Sequence, residues 1–188
     1  MEQVNKDLLN EFDDAQVDAT YATFWDRCWA LLIDGLVIGV ITGLINFYNE
    51  LYSKSIPLLI IISLIGLVYK PFLEYRYGAT VGKMALKLTV VNYDFKTISI
   101  KEALLRNVFE IGVRIYSLIL AYAIFLTPGF RDVTSFKEYA VFSKSVSNGY
   151  WFSGIYAMII IIEIIFLLND KQKRSLHDRI GETLVIKK

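Results

Sequence analysis

The chain has 188 residues, 55% of them apolar and 14% aromatic, with a mean hydropathy of +0.44. Soluble domains hold about 45–50% apolar residues even with glycine counted, so disorder, collagen and nucleic-acid-binding tails are excluded as descriptions of the whole. Twenty basic and 19 acidic residues leave a formal charge of +1, which points to no polyanionic partner; the one cysteine, Cys28, excludes an internal disulfide, and the one histidine, His177, excludes a histidine-cluster metal site.

Residues 1–22 carry Glu2, Asp7, Glu11, Asp13, Asp14 and Asp18 against Lys6 alone. A secretory signal begins basic, so this stretch reads as an acidic cytoplasmic tail, expected to be disordered, ahead of a membrane domain at 23–188. A helix that crosses a bilayer needs about 20 mostly apolar residues. Cys28 to Tyr48 qualifies with one interruption, Asp34. Ile56 to Tyr69 qualifies and continues to Leu73. Tyr150 to Leu168 qualifies with one interruption, Glu163. Ala103 to Thr127 is free of charge only from Ile115 onward, and spans only if Arg106 to Arg114 is also helical. The expected spans are residues 24–49, 56–75, 103–127 and 149–169.

Between the second and third spans, Leu88-Thr89-Val90-Val91 and Thr97-Ile98-Ser99-Ile100 flank a turn candidate at Asn92-Tyr93-Asp94, which predicts a small β-hairpin. Ser99-Ile100-Lys101-Glu102 fits a capping box that opens the third span. The predicted fold is therefore all-α, a polytopic transmembrane bundle of about four spans with a small cytoplasmic β-hairpin. Lys and Arg set the orientation. Arg76, Lys83, Lys87, Lys96, Lys101 and Arg106 lie between spans two and three, and six more basic residues follow Asp170, whereas the loop between the first two spans holds only Lys54. Both termini and the middle loop are thus expected in the cytoplasm.

An ionised side chain at mid-membrane costs roughly 2.5–3.5 kcal/mol or more. Asp34, Glu110, Arg114 and Glu163 all incur that cost. At about 1.5 Å rise per residue, all four fall at similar heights in the cytoplasmic half, which suggests one buried polar cluster. Glu110 and Arg114, at i,i+4, can pair. Two carboxylates remain, so a surplus of negative charge would attract a proton or a small cation. Buried ion pairs also fix helix register, and for Glu110–Arg114 that is the first reading; Asp34 and Glu163 lack a local partner and read as functional. Lys70 and Glu74 read as interfacial side chains that snorkel. Gly35, Gly39 and Gly43 form a stripe suited to close helix approach, with packing inside the chain favoured over packing between chains.

Two motifs are set aside. Gly78-Ala79-Thr80-Val81-Gly82-Lys83 looks like a phosphate loop, but it is one residue short, lacks Ser or Thr after the lysine and follows no strand. His177-Asp178 resembles half of a catalytic dyad with no nucleophile tied to it. No nucleophile, metal cluster or cofactor motif is found, so an enzyme is not expected.

Phe24-Trp25-Asp26-Arg27 through Ile33-Asp34-Gly35 resembles the opening of the RDD family of small membrane proteins, named for one arginine and two aspartates. Gly78 to Lys83, Leu88 to Val91 and Ala103-Leu104-Leu105-Arg106-Asn107 are similar to its middle block. Ser175-Leu176-His177-Asp178-Arg179-Ile180-Gly181 resembles its closing block. The resemblance implies Arg27, Asp34 and Asp178 as signature positions, with Asp178 folding back on Arg27. Transport has been proposed for the family, and cation–proton antiport is associated with some members. The expected function is movement of protons or small cations through Asp34, Glu110, Arg114 and Glu163, in a homo-oligomer within the bacterial cytoplasmic (inner) membrane. The alternative is a non-catalytic subunit or assembly factor of a larger membrane complex. The expected partners are the lipid bilayer and other membrane proteins, not nucleic acid.

Overall fold

The computed structural model describes residues 20–146 and 150–188. Most of the acidic tail, residues 1–19, therefore lies outside the described residues.

The first long helix, α1, runs Phe24–Ser53. Thr23 starts it with a capping box: the Asp26 N–H donates to Thr23 Oγ1, and the Asp26 carboxylate accepts the Thr23 N–H at 2.8 Å. The helix widens into single π turns at Gly35–Gly39 and Asn49–Ser53, the first directly after Asp34. It stops at Lys54, which adopts φ +49°. The Lys54 ammonium donates to the carbonyls of Arg131 and Val133 at 2.6 and 2.7 Å. Helix α2, Ile56–Tyr77, is capped by Ser55 and ended by Gly78 at φ +70°, a conformation that glycine adopts without a Cβ penalty.

A short helix α3 (Val81–Ala85), strand β1 (Leu88–Asn92) and helix α4 (Ile100–Arg106) follow. Then come α5 (Val108–Leu126), α6 (Phe136–Val146), α7 (Tyr150–Asn169), α8 (Leu176–Ile180) and strand β2 (Thr183–Lys187). Three helices, α1, α2 and α5, are long and apolar enough to cross a membrane; in α7 the described apolar stretch, Gly154–Asn169, is shorter. Leu31, Leu36, Ile61, Ile119 and Met158 all point outward, the reverse of a water-soluble surface.

Two expectations are corrected. The capping box at Ser99 and Glu102 forms, but it opens the short α4. The chain turns at Asn107 (φ −97°, ψ 9°), and the long helix begins at Val108, not at residue 103. The Asn107 amide is turned inward, donating to the Ala103 carbonyl and to Glu74.

The hairpin is also different. β1 pairs antiparallel with β2, Val90 opposite Val185. Residues 20–22 line the other side of β2: Ala22 N–H donates to the Val185 carbonyl, and Lys187 N–H to that of Thr20, both at 2.8 Å. Of the expected partner run, Thr97 alone bridges to Val91, because Ser99 is already committed to capping α4. The sheet buries Ala22, Leu88, Val90 and Val185 with Ile98, Ala30 and Ala103. It closes one end of the bundle, here called the sheet end. At the opposite, distal end, Ile124, Phe130 and Val133 pack with Tyr139 and Phe142 of α6.

The expected packing of the glycine stripe inside the chain is not found among the described residues: a Cβ at Gly35, Gly39 or Gly43 would meet nothing within 4 Å.

Candidate functional site

The sheet end is organised around two fully buried carboxylates. Asp178 sits in the first turn of α8 because Ser175 and Asp178 form a capping box. Its Oδ2 accepts from the Ser175 N–H at 3.0 Å and the Ser175 hydroxyl at 2.9 Å. The same oxygen accepts from Arg27 Nη1 at 2.6 Å, while Oδ1 accepts from Arg106 Nη2 at 2.9 Å. Burial would raise this carboxyl, but Arg27, His177 and Arg106 together hold it well below the usual carboxylate range. Arg27 also donates to the Lys173 carbonyl at 2.7 Å, so one guanidinium ties α1 to two points of the C-terminal segment. Gly181 makes room for Arg106: a Cβ there would stand 2.6 Å from the Arg106 Cβ.

Glu74 is the second. Its Oε1 accepts from Lys83 Nζ at 2.5 Å and its Oε2 from the Asn107 amide at 2.8 Å, with Arg106 Nε at 3.2 Å. Arg106 thus bridges Glu74 to Asp178. Burial pulls the Lys83 ammonium down to about 8; Glu74 opposes that fall, and Arg106 and Lys70 add to it by repulsion. The interfacial reading of Glu74 is corrected: it is wholly buried. A glutamate near a helix end looks solvent-bound in sequence, and only the folding back of α3 and α4 covers it. Lys83, Arg106 and Asn107 were not singled out as site residues either. Their one signal was their place inside the blocks that resemble the family.

Asp34 makes a different set of contacts. Its Oδ1 accepts from the Tyr69 hydroxyl at 2.9 Å and the Gly82 N–H at 2.8 Å, and its Oδ2 from the Thr80 hydroxyl at 2.6 Å. All three donors are uncharged. They dock the Gly78–Lys83 segment onto α1, so the near-miss phosphate loop has committed its Gly82 amide to a carboxylate. The approach is so close that a Cβ on Gly82 would lie 2.0 Å from the Ala30 carbonyl oxygen.

The remaining predicted residues are Glu110, Arg114 and Glu163. Glu110 accepts from Lys70 Nζ at 2.7 Å and from Arg114 Nη2 at 3.4 Å. Glu163 lies 3.0 Å from His177 Nδ1. Burial lowers the imidazole from its ordinary value, against the pull of Asp178 and Glu163. The Ser175 hydroxyl is 3.1 and 3.2 Å from the two ring nitrogens. The same hydroxyl donates to Asp178, so Ser175 ties the imidazole and the carboxylate of α8 together.

A cavity of about 370 Å³ between α1, α5 and α7 is lined by Asp34, Glu110 and Glu163, with Lys70 and His177. Arg114 faces a second cavity, of about 290 Å³, with Glu50 and Tyr139. The structure thus brings the three predicted carboxylates to one space and puts the predicted arginine on the next. The expected surplus of negative charge is not found. Asp34, Glu74, Glu110, Glu163 and Asp178 are matched in number by Arg27 of α1, Lys70 of α2, Lys83 of α3, Arg106 of α4 and Arg114 of α5.

Neither a search of curated proteins nor one of solved structures finds a match to the chain. A scan against protein-family models matches the RDD family over residues 21–182. The region begins where residues 20–22 join the sheet and ends as β2 opens, and it contains Arg27, Asp34 and Asp178. With most of its length matched, the chain belongs to the RDD family.

Proposed function

We propose that this is a membrane protein that moves protons or small cations along its helix bundle. The observation that carries the reading is the meeting of Asp34, Glu110 and Glu163, from three different helices, on one cavity of a bundle whose outward face is apolar. Their environments divide the labour. Asp178 and Glu74, each held by two cations, brace the sheet end. Asp34 meets uncharged donors, and Glu163 meets the His177 imidazole at 3.0 Å. Those two are the exchangeable sites. The cavity lies at the end where basic residues concentrate, which supports a cytoplasmic sheet end and the bacterial inner membrane as the site of action. No covalent chemistry is part of this reading.

The test is flux in proteoliposomes, followed with a pH-sensitive and a cation-sensitive dye. Glu163→Gln removes an exchangeable charge without touching the hydrogen bonds that dock the middle loop, and flux is expected to fall to background. Flux equal to that of the parent chain in Glu163→Gln and Asp34→Asn overturns the reading. A second reading, as a non-catalytic subunit or a homo-oligomer, is favoured by the uncovered glycine stripe on α1. A stoichiometric partner retained in mild detergent, together with absence of flux, would put it first.

A further inference from the structure

The two cavities are stacked along the bundle, one helical turn apart. On α2, Lys70 lines the first cavity and Gly66 the second; on α5, Glu110 lines the first and Arg114 the second. Each pair is four residues apart, about 6 Å of helix rise. The layer between them is therefore thin, and its contents are known. Lys70 holds Glu110 at 2.7 Å, and Arg114 reaches the same carboxylate at 3.4 Å. The guanidinium is seated against Gly66, where a Cβ would stand 3.1 Å from Nη1.

The second cavity continues from this layer toward the distal end. Thr42, Asn46 and Glu50 line it from successive turns of α1, Ser117 from α5 and Tyr139 from α6. Glu50 hydrogen-bonds Tyr139 at its far end. Side chains with hydroxyl, amide and carboxylate groups are costly in a bundle that faces lipid unless they serve a watery space.

We propose that the two cavities are halves of a single path along the bundle and that Arg114, seated on Gly66, is the side chain that closes it. The geometry suits that role. Arg114 is half exposed, and its link to Glu110 is the longer of the two that carboxylate makes. It can leave Gly66 while Lys70 keeps Glu110 in place. The proposal gives the transport reading its barrier, yet the connection between cavities can be tested without any transported ion.

Cys28 lines the first cavity and serves as a native probe; Ser117→Cys in a Cys28→Ser background probes the second. The full chain is reconstituted and exposed to a membrane-impermeant thiol reagent from the distal side. Ser117→Cys is expected to react and Cys28 to be shielded. In Arg114→Ala, Cys28 becomes reactive from the distal side, faster by about tenfold or more given thiol accessibility as the controlling factor. Arg114→Gln, shorter and uncharged, gives an intermediate rate and covers the case in which Arg114→Ala does not fold. Unchanged labelling of Cys28 from the sheet side shows that each variant is intact. The proposal is overturned if Cys28 stays shielded in folded variants while Ser117→Cys reacts, or if Ser117→Cys is unreactive from the distal side. Labelling that opens as expected with no flux in any variant overturns the transport reading alone.

Discussion

Asp178 concentrates the stability of the sheet end in one side chain. It receives two guanidiniums and two Ser175 donors while fully buried. Removing one partner of a buried pair leaves charges unpaired, at a cost of about 3–5 kcal/mol. Asp178→Asn is therefore expected to lower the thermal midpoint in detergent well outside error at neutral pH. The pH dependence follows from the same contacts. Asp178 is held far below its ordinary value, and Asp170 is held at about 2, chiefly by its hydrogen bond from Arg174. The unfolded carboxyls sit at about 3.9, so the folded state binds fewer protons in acid. These groups' stabilisation is complete above about pH 4 and is lost as pH falls through the window toward 2 and below. A thermal-melt series from pH 7 to pH 2 should be flat, then drop, with a smaller acid drop in Asp178→Asn. An identical drop in both would locate the acid sensitivity elsewhere.

Among the elements, α3 shows how closely a short helix can be fixed by one missing side chain. Gly82 lets α3 lie on α1 at Ala30 and present its amide to Asp34. Gly82→Ala must push the two apart, at about 1–3 kcal/mol for overpacking, with the Asp34 hydrogen bond lost in addition. Gly39→Ala on the open stripe meets nothing and should shift stability by no more than about 0.5 kcal/mol. Paired melts of the two variants decide the matter, and equal effects would mean that α3 is not seated as described. Elements whose signals are local were legible in the sequence: α1, α2 and α5 by hydropathy, and the cap at Ser99 by residue type. The partner of β1 was not, because Val90 meets Val185 across most of the chain and no local pattern carries that information. The candidate site divides in the same way. The depth of Asp34, Glu110 and Glu163 could be read from helix rise alone. Their partners could not: Lys70 reaches Glu110 from α2, His177 reaches Glu163 from α8, and Thr80 and Gly82 reach Asp34 from the middle loop, all through tertiary packing.

At the scale of the whole molecule, the sheet constrains how often the chain can cross a bilayer. Thr20 and Lys187 are hydrogen-bonded to each other, so the chain enters α1 and finishes β2 at the same end. Helix α1 leads away from that end and α2 returns to it, since Val90 N–H donates to the Gly78 carbonyl just past α2. Helix α5 leads away again, to the distal cluster of Ile124, Phe130 and Val133. The chain must then come back before α8 and β2, and α7 is the element that brings it, with Leu167 buried near its end. An odd number of crossings would leave β2 on the wrong side of the membrane from β1. Four crossings are therefore expected, although three helices meet the length criterion on their own. The check is side-specific labelling of single cysteines in the Cys28→Ser background, at Lys188 and at Lys137 in α6. Lys188→Cys should react from the side that reaches Lys96→Cys in the middle loop, and Lys137→Cys from the opposite side. Reaction of Lys188→Cys and Lys137→Cys from the same side would mean that α7 does not cross, and the bundle, with its shared carboxylate cavity between α1, α5 and α7, would have to be redrawn.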